Sequence, residues 1–235
     1  MTRNSDTIWV NPDEKYLKMP FVISFPRTGT NWLNTMMEEY FQKNRVLPNY
    51  GGSITFVDKF NENFMWYFSH DKELNLSCSN PIGVIYLYRN PEDVLYSVVT
   101  AHLQSSDIDE KNMRSNDLME KYIDEYKKHL EKWLLSKNKA KTVIRYENLQ
   151  KKPIETFSKV VKHFGEEINV EKFSKIFEGM TKEKIHDRGS KVMPAYFGKI
   201  YLSQEYKNKK ILFNKKYKEY IRNKIISNEL KSWFI

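Results

Sequence analysis

Three groups of residues carry the chemistry open to this chain. The first is Arg27-Thr28-Gly29-Thr30-Asn31, a run of donors interrupted by one glycine. Arginine offers a planar fork to phosphate-like oxygens, the hydroxyls and amide add neutral donors, and glycine lets the backbone come close. The second is Arg89 with Ser97 eight positions later, a cation and hydroxyl suited to another anionic group. The third is His70, between Ser69 and Asp71. An imidazole with an unperturbed pKa of about 6.5 suits a general base at neutral pH.

Each group sits where a regular element would aim it. Phe21-Val22-Ile23-Ser24-Phe25 is a short apolar run that reads as a buried strand and breaks at Pro26. From Asn31 the spacing becomes helical, with Trp32, Leu33, Met36, Met37, Tyr40 and Phe41 on one stripe. Strand, tight loop and helix N-terminus make an anion site, because the first helical N–H groups lack partners and carry partial positive charge. An ordinary strand–turn–helix with a polar loop is the plainer alternative.

Ile82 to Tyr88 is a continuous apolar run between Pro81 and Arg89-Asn90-Pro91, as in a central parallel strand. Pro91 opens a helix with Glu92 and Asp93 in its first turn and Val94, Leu95, Val98 and Val99 on its buried stripe. Arg89 then stands at the carboxyl end of the strand, where open α/β sheets bind ligands, and Ser97 lies two turns into the helix. A well-capped helix explains Pro91 and Glu92 but not the choice of Arg89 and Ser97. His70 closes an aromatic passage, Phe56 to Phe68; taken alone, such a histidine is a surface or core residue.

A Walker loop ends in Gly-Lys-Ser/Thr, whose hydroxyl holds magnesium. Here Gly29 is followed by Thr30-Asn31, which argues against an ATP- or GTP-hydrolysing machine. The order Phe25-Pro26-Arg27-Thr28-Gly29-Thr30-Asn31-Trp32-Leu33 instead resembles the 5′-phosphosulfate loop of the sulfotransferases. Arg89-Asn90-Pro91-Glu92-Asp93-Val94 followed by Ser97 resembles that family's 3′-phosphate motif. Tyr146-Glu147-Asn148-Leu149, a helix led by Pro153 and ended by Phe164-Gly165, and Phe177-Glu178-Gly179-Met180 are similar to later family segments. His186 to Lys191 resembles its basic-Gly loop, so the likeness runs from Pro20 to about Lys199.

The resemblance implies an α/β three-layer sandwich, a central, mostly parallel sheet flanked by helices, of the P-loop nucleotide-kinase-like kind. It implies 3′-phosphoadenosine-5′-phosphosulfate (PAPS) as sulfuryl donor, 3′,5′-ADP as product and no metal. Arg27, Thr28, Gly29, Thr30 and Asn31 would hold the 5′-phosphosulfate, and Arg89 and Ser97 the 3′-phosphate. Trp32, Tyr146 and Phe177 would meet adenine, while Arg188 and Gly189 close on the 3′-phosphate. His70 would be the base and Arg27 an electrostatic clamp. The chain departs from the pattern at Phe68, where the family often has Lys, with Lys72 the nearest substitute in sequence. It departs again at Lys175, where an adenine-binding Thr is usual. A third departure follows Gly189, where Phe197-Gly198-Lys199 stands in for a Gly-x-x-Gly-x-Trp continuation.

With 235 residues, one domain over 1–235 is expected, with a lead-in over 1–18 anchored by Trp9 and amphipathic helices over 200–235. No apolar run approaches the roughly 20 residues that cross a bilayer. Met1 to Lys18 is polar and unlike a secretory signal. The single cysteine, Cys78, allows no internal disulfide and points to a reducing, cytoplasmic location. The five histidines are dispersed without ligand spacing. A long helix is expected with Leu118, Tyr122, Tyr126, Leu130, Trp133 and Leu134 inward, and Lys141 to Leu149 reads as a strand running into a turn.

The net charge of +9 favours anionic partners, although stretches such as Lys207 to Lys218 read as solvated faces. Two other classes stay in view. One is a nucleoside or nucleotide kinase on a similar sheet, which magnesium dependence would reveal. The other is a nucleic-acid-binding protein prompted by charge and aromatics, though no nucleic-acid motif is present and the aromatics fit core stripes. The expected acceptor is a small molecule or a glycan with a hydroxyl or amine, lined by about Asn49 to Phe68 and Gln104 to Asn116. Neither a membrane nor a nucleic acid is expected as partner.

Overall fold

Alternation along the first strand sets the layers. In β1 (Phe21–Ser24), Val22 faces one side of the sheet and Phe21 and Ile23 the other, all buried. The same split recurs in β4 (Val84–Tyr88), where Ile85 and Leu87 oppose Val84, Tyr86 and Tyr88. Strands buried on both faces need helices on both faces, and the chain supplies them. The computed structural model describes residues 19–46, 64–72, 74, 76, 83–103, 117–137, 140–181, 183–185 and 203–235.

With β2 (Asn44–Val46), β3 (Phe64–Ser69) and β5 (Lys141–Arg145), the sheet runs β2-β3-β1-β4-β5, and every pairing is parallel. On one face lie α1 (Thr30–Phe41), α5 (Pro153–His163) and α6 (Val170–Glu178), burying Leu33, Met36, Met37, Phe157, Val160 and Phe173. On the other lie α2 (Pro91–Leu103), α3 (Leu118–Leu135) and α7 (Gln204–Ile225), burying Leu95, Tyr126, Trp133, Phe213 and Ile221. This is the expected three-layer α/β sandwich. The neighbours of β1 on its two sides are β3 and β4, so the loop after β1 sits at the switch point where such sheets bind ligands.

Some local expectations shift. The segment after Arg145 is a short helix, α4 (Tyr146–Lys151), and not an open turn. Its first turn begins where β5 ends, so Tyr146 and Glu147 are fixed by helical geometry. Trp32, Phe41 and Tyr122 are only half-buried on their stripes, because rings at the margin of a core still expose an edge. The short edge strand β2 has no periodic signal and exists through its pairing with β3. Of the 200–235 expectation, α7 and a 3₁₀ turn at Lys231–Trp233 form. Trp9, Cys78, residues 104–116, Arg188, Gly189 and Phe197-Gly198-Lys199 lie outside the described residues.

Candidate active site

The loop from β1 to α1 is built from inward hydrogen bonds. Thr28 is fully buried and donates its hydroxyl to the Phe25 carbonyl at 2.8 Å. The Thr30 and Ser24 hydroxyls are bonded to each other, and Asn34 donates Nδ2 to the Thr30 carbonyl at 3.0 Å. The threonine hydroxyls expected to face a ligand are thus spent on the shape of the loop, since a hydroxyl in a dry site needs a partner at once. What such a loop can offer outward is the N-terminal end of α1, with Asn31 half-buried beside it.

Two residues of the loop have left-handed backbones, Arg27 at φ 69° and Gly29 at φ 99°. Gly29 is needed for a second reason, because a Cβ there would lie 2.3 Å from Tyr146 Cδ2. Tyr146, at the start of α4, therefore packs one edge of its ring directly against the loop. It also meets Trp32 edge-on at 5.5 Å, and Trp32 is 5.8 Å from Phe177 on α6. These three rings, from three elements, make one aromatic wall. Lys175 faces away from it, paired with Glu171 at 2.7 Å on the exposed side of α6.

The cations converge beside that wall. Arg27 donates Nε to Ser97 Oγ at 3.0 Å, joining the loop to α2. Arg89, following β4, donates Nη1 to the Arg27 carbonyl at 3.3 Å and stacks its guanidinium 4.4 Å from the Tyr146 ring centre. Its Nη2 lies 3.7 Å from Asp93 Oδ2. Burial alone would raise the Asp93 pKa, but Arg89 and Lys210 outweigh it and hold the carboxyl below its usual range. Arg89 Nε is buried without a hydrogen-bond partner. The guanidinium thus keeps one donor unspent within the fold, and the fork as a whole matches phosphate oxygens.

His70 follows β3, on the other side of β1 from Arg89. Its Nδ1 lies 2.7 Å from the Ser24 carbonyl. A carbonyl only accepts, so Nδ1 carries the proton and Nε2 keeps its lone pair. Burial lowers the His70 pKa to about 4, helped by Lys72, Arg27 and Arg45 and opposed by the Ser24 carbonyl. The imidazole is therefore neutral at pH 7, in the tautomer a base requires. Phe68 packs edge-on to it at 4.9 Å, and Arg45 on β2 puts its guanidinium 6.0 Å from the Phe68 ring centre. A cation thus comes near the Phe68 position from the neighbouring strand, whereas Lys72 is exposed.

With this geometry established, comparison with known proteins decides the family. The family model described as the sulfotransferase domain matches residues 18–234. The chain belongs to the sulfotransferase family. A solved structure of mouse sulfotransferase SULT7A1 complexed with PAP is similar to this sulfotransferase, at TM-score 0.65 and 17% identity, over 92% of this chain and 88% of that one. Retinol dehydratase in complex with androsterone and inactive cofactor PAP matches at TM-score 0.56 and 13% identity, over 85% and 80%. No curated protein matches the sequence significantly. Among the described residues of this sulfotransferase, no helix is long and apolar enough to cross a membrane, and no cluster of three or more His, Cys, Asp or Glu could hold a metal ion.

Of the residues anticipated from sequence, Arg27, Ser97, Arg89, Tyr146, Gly29, Trp32 and Phe177 form one connected group, with His70 across the end of β1. Sequence reasoning missed their supports. Glu147 Oε1 accepts from the Asn90 N–H at 3.0 Å. Arg145 donates to Asn90 Oδ1 at 3.0 Å and to the Ile235 carbonyl at 3.1 Å. Tyr126 and His129, read as core or passed over, touch the backbone of Arg89 and of His70. The one available signal was their three-residue spacing on α3, with a polar tip on each side chain.

Proposed function

We propose that this sulfotransferase moves the sulfuryl group of PAPS to a hydroxyl or amine of a small-molecule or glycan acceptor, acting as a single unit over the chain. The observation that carries the donor assignment is the buried, unsatisfied Nε of Arg89, lying beside Ser97-bonded Arg27 and against the Tyr146 wall. Arg89 and Ser97 hold the 3′-phosphate that sets PAPS apart from common nucleotides. The N-terminal end of α1, Gly29 to Asn31, receives the 5′-phosphosulfate, with Thr28 and Thr30 keeping the loop in shape. Trp32, Tyr146 and Phe177 form the wall of the adenine slot, and Arg188 and Gly189 belong to the loop that closes on the 3′-phosphate.

PAPS supplies the activated sulfuryl group, and the protein supplies position and charge. His70 Nε2 accepts the acceptor's proton. Arg27 counters negative charge on the 5′-phosphate side; a guanidinium holds its proton at this pH, so it serves as a clamp and not as an acid. Binding a multiply charged anion beside His70 also raises its pKa from the low value of the free protein, which makes the base stronger when donor is present. The androsterone in the retinol dehydratase complex supports a small-molecule acceptor. The single cysteine and the absence of a membrane-crossing helix among the described residues support a cytoplasmic location.

Calorimetric titration without added metal tests this reading, with 3′,5′-ADP as ligand and 5′-AMP and ADP as controls. Binding should depend on the 3′-phosphate and be lost in Arg89→Ala. Equal affinity for 5′-AMP, or a preference for ADP with magnesium, would overturn it in favour of a kinase.

A further inference from the structure

The base and the donor grip are carried by strands that do not touch. His70 follows β3 and Arg89 follows β4, with β1 between them, so the two strand ends stand about two spacings, roughly 10 Å, apart. One helix spans this gap. Along α3, Tyr126 and Trp133 are seven residues, or about 10.5 Å, apart at 1.5 Å per residue, and with His129 they share one face.

Each of the three ends in a polar atom aimed at a strand terminus. The Tyr126 hydroxyl donates to the Arg89 carbonyl at 2.7 Å and accepts from the Arg89 N–H at 3.1 Å. His129 donates Nε2 to the His70 carbonyl at 2.9 Å, and Trp133 donates Nε1 to Asp71 Oδ2 at 3.0 Å. Lys132 adds a contact to the same carboxylate at 2.6 Å. Between these ends Phe25, at the close of β1, packs 4.8 Å from Tyr126 and 5.5 Å from His129.

We propose that α3 is a splint, with Tyr126 and His129 as positioning residues that hold Arg89 and His70 in fixed relation across β1. The proposal rests on the reading of Arg89 as the 3′-phosphate grip and His70 as the base. Packing alone asks only for apolar volume, and phenylalanine would give that at 126. A hydroxyl that satisfies both backbone groups of one functional residue does more, because it fixes the peptide from which the guanidinium springs. His129 is equally specific. Its Nδ1 accepts from the Tyr86 hydroxyl at 2.9 Å, which leaves Nε2 as the donor to His70. Burial keeps its pKa down at about 3, so this tautomer persists across working pH.

The test uses the full chain in two arms. In Tyr126→Phe, exchange of the Arg89 amide hydrogen should quicken, and the affinity ratio of 3′,5′-ADP to 5′-AMP should fall about tenfold, within the range for leaving buried backbone groups unpaired. Binding of 5′-AMP should stay within about twofold, because the aromatic wall is untouched. In His129→Leu, nitrogen NMR should show the His70 ring losing its single wild-type environment, because the peptide that carries the ring to the Ser24 carbonyl is no longer held. His129→Gln, which keeps an N–H donor of similar reach, should retain it. Faster exchange at Arg89 with an unchanged ratio would reduce Tyr126 to packing and overturn the splint, as would a wild-type His70 signal in His129→Leu. If the wild-type protein does not discriminate 3′,5′-ADP from 5′-AMP, the assignment of Arg89 itself falls and takes the splint with it.

Discussion

Gly29→Ala is the sharpest single test of the loop, because two independent costs can be worked out for it. The backbone there has φ 99° and ψ 17°, a left-handed conformation in which a Cβ costs about 1–2 kcal/mol. The new methyl carbon would also lie 2.3 and 2.4 Å from two Tyr146 ring carbons, far inside contact distance. The ring cannot turn aside freely, since Arg89 stacks on it at 4.4 Å and Trp32 meets it at 5.5 Å. Overpacking of this kind costs about 1–3 kcal/mol, and with the backbone term the total is about 2–5 kcal/mol. For a chain of this size each kcal/mol lowers Tm by about 2–4 °C, so thermal melting should drop by about 4–20 °C. Because the displaced ring supports Arg89, 3′,5′-ADP affinity should fall about tenfold or more, of the order of one lost charge-assisted contact. Gly165→Ala is the control: its φ is 78°, but nothing lies within 4 Å of the added carbon, so only the backbone cost applies. Melting and calorimetry on both variants decide the matter. If Gly29→Ala melts no lower than Gly165→Ala and binds 3′,5′-ADP normally, the packing of Tyr146 on the loop is not as described.

Two further outcomes follow from the histidines. Folded His70 stays unprotonated down to about pH 4, whereas in the unfolded chain it takes a proton near the ordinary imidazole value of 6.5. The unfolded state thus binds more protons between those values, so stability should fall as pH drops through that window, and His129, lowered to about 3, adds in the same sense. Urea denaturation in steps from neutral to mildly acid buffer measures this, and the slope should flatten in His129→Gln; stability that holds level on acidification would contradict the buried neutral imidazoles. His70→Ala should lower sulfuryl transfer roughly 10²–10⁴-fold for any acceptor that turns over, while 3′,5′-ADP binding persists. Near-normal turnover in that variant would remove His70 as the base.

Much of the molecule was legible in the sequence, for a stated reason. Strands buried on both faces read as unbroken apolar runs, so Phe21 to Phe25 and Ile82 to Tyr88 declared the centre of a parallel sheet. Period-3.6 stripes declared α1, α2, α3 and α5. Where a strand gives way to a helix at a glycine or a proline, the polar residues in and just beyond the gap are not called for by an apolar core stripe, which is why Arg27, Gly29, Arg89 and, two turns into α2, Ser97 stood out as candidate ligand contacts. These signals are local, carried within a dozen residues.

The rest is not local. That the hydroxyls of Thr28 and Thr30 turn inward depends on the Phe25 carbonyl and Ser24. The low pKa of His70 depends on burial, on nearby Lys72 and on cations from two other segments, including Arg45 on a strand too short to announce itself. Tyr126 and His129 look like core on a helical wheel, and only folding brings their polar tips to Arg89 and His70, which lie 37 and 59 residues away. Sequence alone determined which residue types could bind two anionic groups and take a proton, because residue type and spacing are written along the chain. Tertiary structure decided which atoms hold them in place, because burial, tautomer and hydrogen-bond partner are properties of neighbours in space.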